Sequence, residues 1–178
     1  MVDSPGDADA GRPVAAAAAV AAEARPAVDL RVVLFAVADG RLLVALRSTG
    51  VGAELPRGLP GPDTGLDGQA RRIVGDDPPG AQPYLEQLYT LSVAGGPGWT
   101  IVVSYLGIAP GGAGAEAAGG AWTPVDDLPA LGEADRMVLD YALVRLRAKI
   151  GYTTIAFHLL PAAFTLRELQ DAYEAILG

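Results

Sequence analysis

The order of segments along the chain predicts a mixed α+β sandwich. Three observations carry this. Two strand-like runs, 30–37 and 41–47, flank Asp39-Gly40, the dipeptide of a tight hairpin turn. Two more strand-like runs, 86–93 and 99–108, come after a single short helical stretch, so strands and helices do not alternate as in a doubly wound sheet. From residue 133 onward the spacing of apolar residues becomes helical.

The first run is rich in β-branched residues. The second alternates less cleanly and leads into a glycine-containing loop at 48–53. The spacing then predicts a short helix over 66–74, with Ala70, Ile73 and Val74 on one face and Arg71 and Arg72 turned away from it. Pro78-Pro79-Gly80 must end it. A turn rich in glycine and proline at 94–98 separates the next two strands. A Gly/Ala loop at 109–120 precedes a last short strand at 121–124. In the helical part, Leu139, Leu143, Leu146 and Ile150 form a stripe that Gly151-Tyr152-Thr153 breaks, and an apolar stretch at 155–160 stops at Pro161. The final helix opens with Thr165 and Glu168 at the spacing of a capping box. Leu166, Leu169, Tyr173 and Ile176 fall on one of its faces, and Gly178 stands where a C-terminal glycine belongs.

Composition narrows the function classes. With 178 residues, half of them hydrophobic, the chain can build one domain with a real core and a small appendage. It has no cysteine, which excludes disulfides, thiolate metal sites and cysteine nucleophiles, and its one histidine, His158, excludes histidine-rich zinc sites. The net charge of −8 argues against DNA binding, since neutralising phosphates needs clustered Lys and Arg. Residues 1–27, with Asp3, Asp7 and Asp9 ahead of an alanine run, read as a disordered tail rather than a signal peptide. No stretch is long and apolar enough for a membrane, so the expected location is the cytoplasm.

The segment 55–80, LPRGLPGPDTGLDGQARRIVGDDPPG, carries the chemistry. From Gly58 through Asp77 its spacing resembles the Nudix box, which runs glycine, five residues, Glu, seven residues, then Arg-Glu-aliphatic-any-Glu-Glu. Gly58 takes the opening glycine, Thr64 the first Glu, Arg72 the arginine and Ile73 the Glu after it. Val74 is the aliphatic residue, Asp76 and Asp77 replace the Glu pair, and Pro79 and Gly80 replace the closing Gly-aliphatic pair. Ala121-Trp122-Thr123-Pro124 followed by Asp127-Leu128-Pro129 is similar to the segment that closes many Nudix domains. The stretch from residue 142, above all FTLRELQDAYEAILG at 164–178, resembles the junction in the Nudix-related transcriptional regulators of NAD metabolism, where a Nudix domain joins a winged helix. The resemblance covers about 30–178. It implies a Nudix-like α/β/α sandwich with a mixed sheet over 28–150 and a helical remnant of a winged helix over 151–178, whose recognition helix and wing would lie beyond Gly178. Asp135 stands where relatives often carry a histidine.

What the resemblance implies for the site follows from the chemistry of magnesium, which wants near-octahedral oxygen ligands with one or more carboxylates. Ile73 can neither bind magnesium nor take a proton. Glu-to-Asp at 76 and 77 shortens each reach by about 1.5 Å, against a tolerance of about 0.2 Å in metal–ligand distance. Magnesium, if held, falls to Asp76 and Asp77, which are also the only catalytic candidates should the box be active. Arg47, Arg57, Gly58 and Arg72 are the candidate ligand-binding residues. Three readings stay open. The first is a non-catalytic binder or sensor of a nucleoside-diphosphate-type ligand such as ADP-ribose, or of a regulatory partner. The second is an atypical magnesium-dependent pyrophosphohydrolase that borrows acids such as Glu54, Asp63 or Asp67. The third is a protein–protein module, with a homodimer expected. Trp99, Trp122 and His158 are read as packing residues ahead of base-stacking or catalytic ones, and DNA binding is disfavoured.

Overall fold

The computed structural model describes residues 25–75, 83–95, 98–109, 118–161 and 163–178. Among these, seven strands form one sheet. β1 (Ala27–Ala38) and β2 (Arg41–Thr49) make the expected hairpin, with Ala38 opposite Arg41. Asp39 and Gly40 both have positive φ, 51° and 69°, as the tight primed turn between right-twisted strands requires. β3 (Gly52–Glu54) pairs with β2, and β4 (Arg57–Gly58) pairs with the start of β1. β5 (Tyr84–Gly95) and β6 (Gly98–Ile108) form a long antiparallel ladder, and β6 runs parallel to β1 from Ala27 opposite Thr100 to Phe35 opposite Ile108. β7 (Ala121–Pro124) closes on the other edge of β2. The sheet is therefore mixed, as expected.

Helices cover both faces, and this explains why β1 reads as a continuous apolar run. Leu30, Val32, Leu34 and Ala36 point to one side, where α1 (Gly65–Val74) lays down Ala70, Ile73 and Val74. Val33 and Phe35 point to the other, where α2 (Glu133–Ile150) contributes Val138, Leu139, Ala142, Leu146 and Ile150. The second core continues into a 3-10 helix (Thr154–Leu159) through Ile155, Ala156 and Leu159, and into α3 (Leu166–Leu177) through Ile176. The capping box of α3 is present, with Thr165 and Glu168 bonding reciprocally. One residue of its predicted apolar face departs: Leu166 is exposed. It sits in the first turn, past the surface on which the helix rests, and Ala172 takes the buried position instead.

The end of α2 is tied to β5 by a polar cluster. The buried Lys149 ammonium donates to Glu86 and to the Tyr84 hydroxyl at 2.8 Å, and Tyr84 donates to Glu86 at 2.6 Å. Burial opposes both charges. The hydrogen bonds between them prevail, holding the Glu86 carboxyl below its ordinary value and the Lys149 ammonium above. His158 rests its ring 4.9 Å from that of Tyr84, a packing role.

The predicted tail lies outside the described residues up to residue 24, and β1 begins at Ala27. Most of the Gly/Ala loop, Asp76, Asp77, Pro79 and Gly80 also lie outside them.

Candidate functional site

β1 begins with two charged residues on one face. Asp29 and Arg31 are two apart, so both look toward the α2 side of the sheet, below the apolar Val33 and Phe35. Arg57 stands directly opposite Arg31 across the β1–β4 pairing and joins that face. Asp135 arrives from the first turn of α2, at the helix end that favours negative charge.

These residues lock together. The Arg31 guanidinium donates from Nε to Asp29 Oδ2 at 3.2 Å and from a terminal nitrogen to Asp135 Oδ1 at 2.7 Å. All three side chains are at least 88% buried. Asp135 Oδ2 takes the Leu55 backbone N–H at 3.4 Å. Burial pushes the Asp135 carboxyl above its ordinary value, against the pull of Arg31. Arg57 is held more loosely, 3.6 Å from Asp29 and 3.7 Å from Glu54, and is half exposed. Around this cluster opens a cleft of about 550 Å³, walled by the β2–β3 turn and the loop into α2. An adjoining hollow of about 250 Å³ shares Arg31, Arg57 and Val93 and reaches Asp29. The cleft is in the size range of small-molecule sites, and the hollow is a smaller extension of it.

The box residues divide around this cleft. Arg57 lines it. Its neighbour Gly58 lets β4 approach α1: a Cβ there would stand 3.2 Å from two Ile73 side-chain carbons. Ile73 is itself core, 7% exposed, so its side chain belongs to the apolar layer. Thr64 precedes α1 without capping it, and its buried hydroxyl has no hydrogen-bond partner. Arg47 is committed to backbone carbonyls, Ala118 at 2.8 Å and Arg57 at 3.2 Å. Arg72 is exposed on α1 and lines neither hollow.

Of the acids that could substitute for the box, Asp67 accepts the Tyr105 hydroxyl at 2.6 Å, Glu54 faces Arg57, and Asp63 is exposed ahead of α1. Among the described residues no three His, Asp or Glu side chains converge as metal ligands. Thr64 and Ile73 cannot supply carboxylates, and Asp76 and Asp77 lie outside the described residues. Trp122 packs against the α1-side core, and Trp99 is partly exposed near the β5–β6 turn.

Sequence reasoning missed Asp29, Arg31 and Asp135 as a site. A signal was available: two charges spaced by two at the head of an apolar strand need partners on one face.

Residues 156–178 match the family model described as NrtR DNA-binding winged helix domain. No curated protein sequence matches the chain. Among solved structures, Shewanella oneidensis NrtR complexed with a 27mer DNA superimposes with a TM-score of 0.69 at 25% identity, covering 84% of this chain and 75% of that one. The NUDIX domain of the same protein complexed with ADP ribose gives 0.55 at 25% identity, covering 70% and 91%. A MutT/nudix family protein from Enterococcus faecalis gives 0.67 at 18% identity over 86% and 74%, a likeness of fold. The sheet and its flanking helices are thus Nudix-like, and the C-terminal helices are winged-helix-like.

These matches overturn the expectation that DNA binding is disfavoured. That expectation took the charge of the whole chain as a guide to one module. It also counted as missing a recognition helix that would lie beyond Gly178.

Proposed function

We propose that this chain, a Nudix fold continued into an NrtR-type winged helix, is a ligand-responsive regulator that binds an ADP-ribose-like nucleoside diphosphate without hydrolysing it. In this reading the Nudix unit over 28–150 holds the ligand and the winged-helix segment over 151–178 belongs to the part that contacts DNA.

The observation that carries it is the charged cleft beside Gly58, in a fold shared with a structure that contains ADP ribose. Arg57 is the residue placed to meet a phosphate: it lines the cleft, is half exposed and makes only loose ion pairs. The non-catalytic part rests on Ile73. An acid position turned into core packing removes a carboxylate that the hydrolytic chemistry needs.

Ligand that binds only the native state raises the melting temperature. ADP-ribose at a hundred times its Kd adds about 2.7 kcal/mol, and for a chain of this size that is a shift on the order of 5–10 °C. The shift is expected with or without magnesium. No shift sinks the ligand assignment, and release of AMP on incubation with magnesium sinks the non-catalytic one.

We also propose that two copies associate. α2 exposes Met137, Tyr141 and Val144 at spacings of four and three, an apolar stripe on the face turned away from the core. Sedimentation at tens of micromolar should give the mass of two chains; a single-chain mass removes this part of the reading.

A further inference from the structure

The cleft is a poor match for phosphate alone. Asp29, Glu54, Glu133 and Asp135 line it or the adjoining hollow, against two cations, Arg31 and Arg57. Arg31 is already committed to Asp29 and Asp135. A diphosphate can be met by Arg57, and the rest of a ligand must bring hydrogen-bond donors to the carboxylates.

One carboxylate lacks such a donor. Asp29 is 5% exposed. Its Oδ2 faces both guanidiniums, Arg31 at 3.2 Å and Arg57 at 3.6 Å. Its Oδ1 is shielded from solvent and has no hydrogen-bond partner. Buried acceptors are almost always paired, so an orphan just beneath a hollow that Asp29 lines marks a place where a donor is missing. An ionised carboxylate accepts only, which excludes a phosphate oxygen and selects a hydroxyl or an amine.

We infer that Asp29 is a specificity-determining residue of this cleft, its Oδ1 accepting a hydrogen bond from the adenosine part of the ligand. The diphosphate then lies outward at Arg57. This rests on the nucleotide reading above and deepens it. The donor is either the exocyclic amine of the base or a hydroxyl of its ribose.

Asp29→Asn separates the possibilities. The variant is isosteric, and the guanidiniums hold the amide oxygen on their side. The amide nitrogen, itself a donor, is thereby placed where the ligand's donor must come. Calorimetric titration of the wild-type chain and of D29N would use ADP-ribose, its hypoxanthine analogue and its adenosine 2′,3′-dideoxy analogue. D29N should bind ADP-ribose about 10- to 100-fold more weakly than wild type. If the base amine is the donor, the hypoxanthine analogue binds wild type weakly and D29N prefers it, because its carbonyl accepts from the new amide. If a ribose hydroxyl is the donor, the dideoxy analogue binds wild type weakly and the difference narrows in D29N, where the hydroxyl accepts from a neutral amide instead of donating to a carboxylate.

Ranking is internal to each protein, so it does not depend on how much of the variant folds. If D29N fails to fold, the wild-type ranking still decides: equal affinity for all three ligands overturns the inference. So does an equal weakening of all three by D29N, which is what a purely structural role gives. Wild type failing to bind ADP-ribose at all overturns the nucleotide reading itself, and this inference with it.

Discussion

Replacing Arg31 by methionine is expected to cost about 3–5 kcal/mol of folding stability, read as a fall in the urea midpoint. The size follows from what is left behind. Methionine keeps much of the volume of the side chain but abandons Asp29 and Asp135, both more than 90% buried, with the looser Arg57 as the remaining cation beside Asp29. Breaking a buried pair costs far more than an exposed one, because an uncompensated charge stays behind in a poorly solvated place.

The loss should also depend on pH. Burial already holds the Asp135 carboxyl above its ordinary value of 3.8 while Arg31 pulls the other way, and without Arg31 only the weaker pulls of the Leu55 N–H and Arg57 oppose burial. An acid whose folded-state pKa is raised binds its proton more tightly in the native state than in the unfolded one. Its protonation therefore stabilises the fold, and stability falls as pH rises through the raised value. R31M should recover part of its loss as pH is lowered from neutrality toward the ordinary carboxylate range. A deficit that stays constant over that range means the carboxylates are not its source.

Ile176→Ala is expected to lower the stability of the whole chain by about 2–5 kcal/mol in a single transition. Ile176 is fully buried and shares one core with Phe35 and Val44 of the sheet and Leu146 of α2. The backbone is tied in as well, with Arg147 Nε donating to the Ile176 carbonyl at 2.9 Å. Far-UV circular dichroism and tryptophan fluorescence should therefore give coincident urea curves for variant and wild type alike. Two separated transitions would mean that the C-terminal helices fold apart from the sheet.

These two residues also show what local sequence pattern can and cannot carry. Ile176 was legible. It sits on a helical stripe behind a capping box, and periodicity assigns it inward. The β1–β2 hairpin and the buried face of α1 were legible for the same reason, since turn chemistry and spacing of apolar residues are local. Leu166 lies on the same stripe yet is exposed, because periodicity gives the direction of a face but not how far the neighbouring surface extends. β3 and β4 are three and two residues long, too short for any period, and exist through pairing with β2 and β1. The Arg31–Asp135 pair joins positions 104 apart, and no local pattern records such a meeting. Within the box, Ile73 was legible as a lost acid, while its packing against Gly58 emerges only when β4 is laid beside α1.

The parallel pairing of β1 with β6 has a consequence for how the chain is made. Ala27 lies opposite Thr100 and Phe35 opposite Ile108, so each rung joins positions 73 apart. During synthesis the apolar run of β1 emerges long before β6, with only β2 and the short β4 available, both on one edge. Non-local parallel ladders form slowly, because the loop must close before any contact repays it. In that interval LRVVLFAVA at 30–38 is a run of high β-propensity that lacks proline, the kind of segment that pairs with other chains. Yield of soluble protein should therefore be limited by the time this strand spends waiting rather than by the stability of the finished fold.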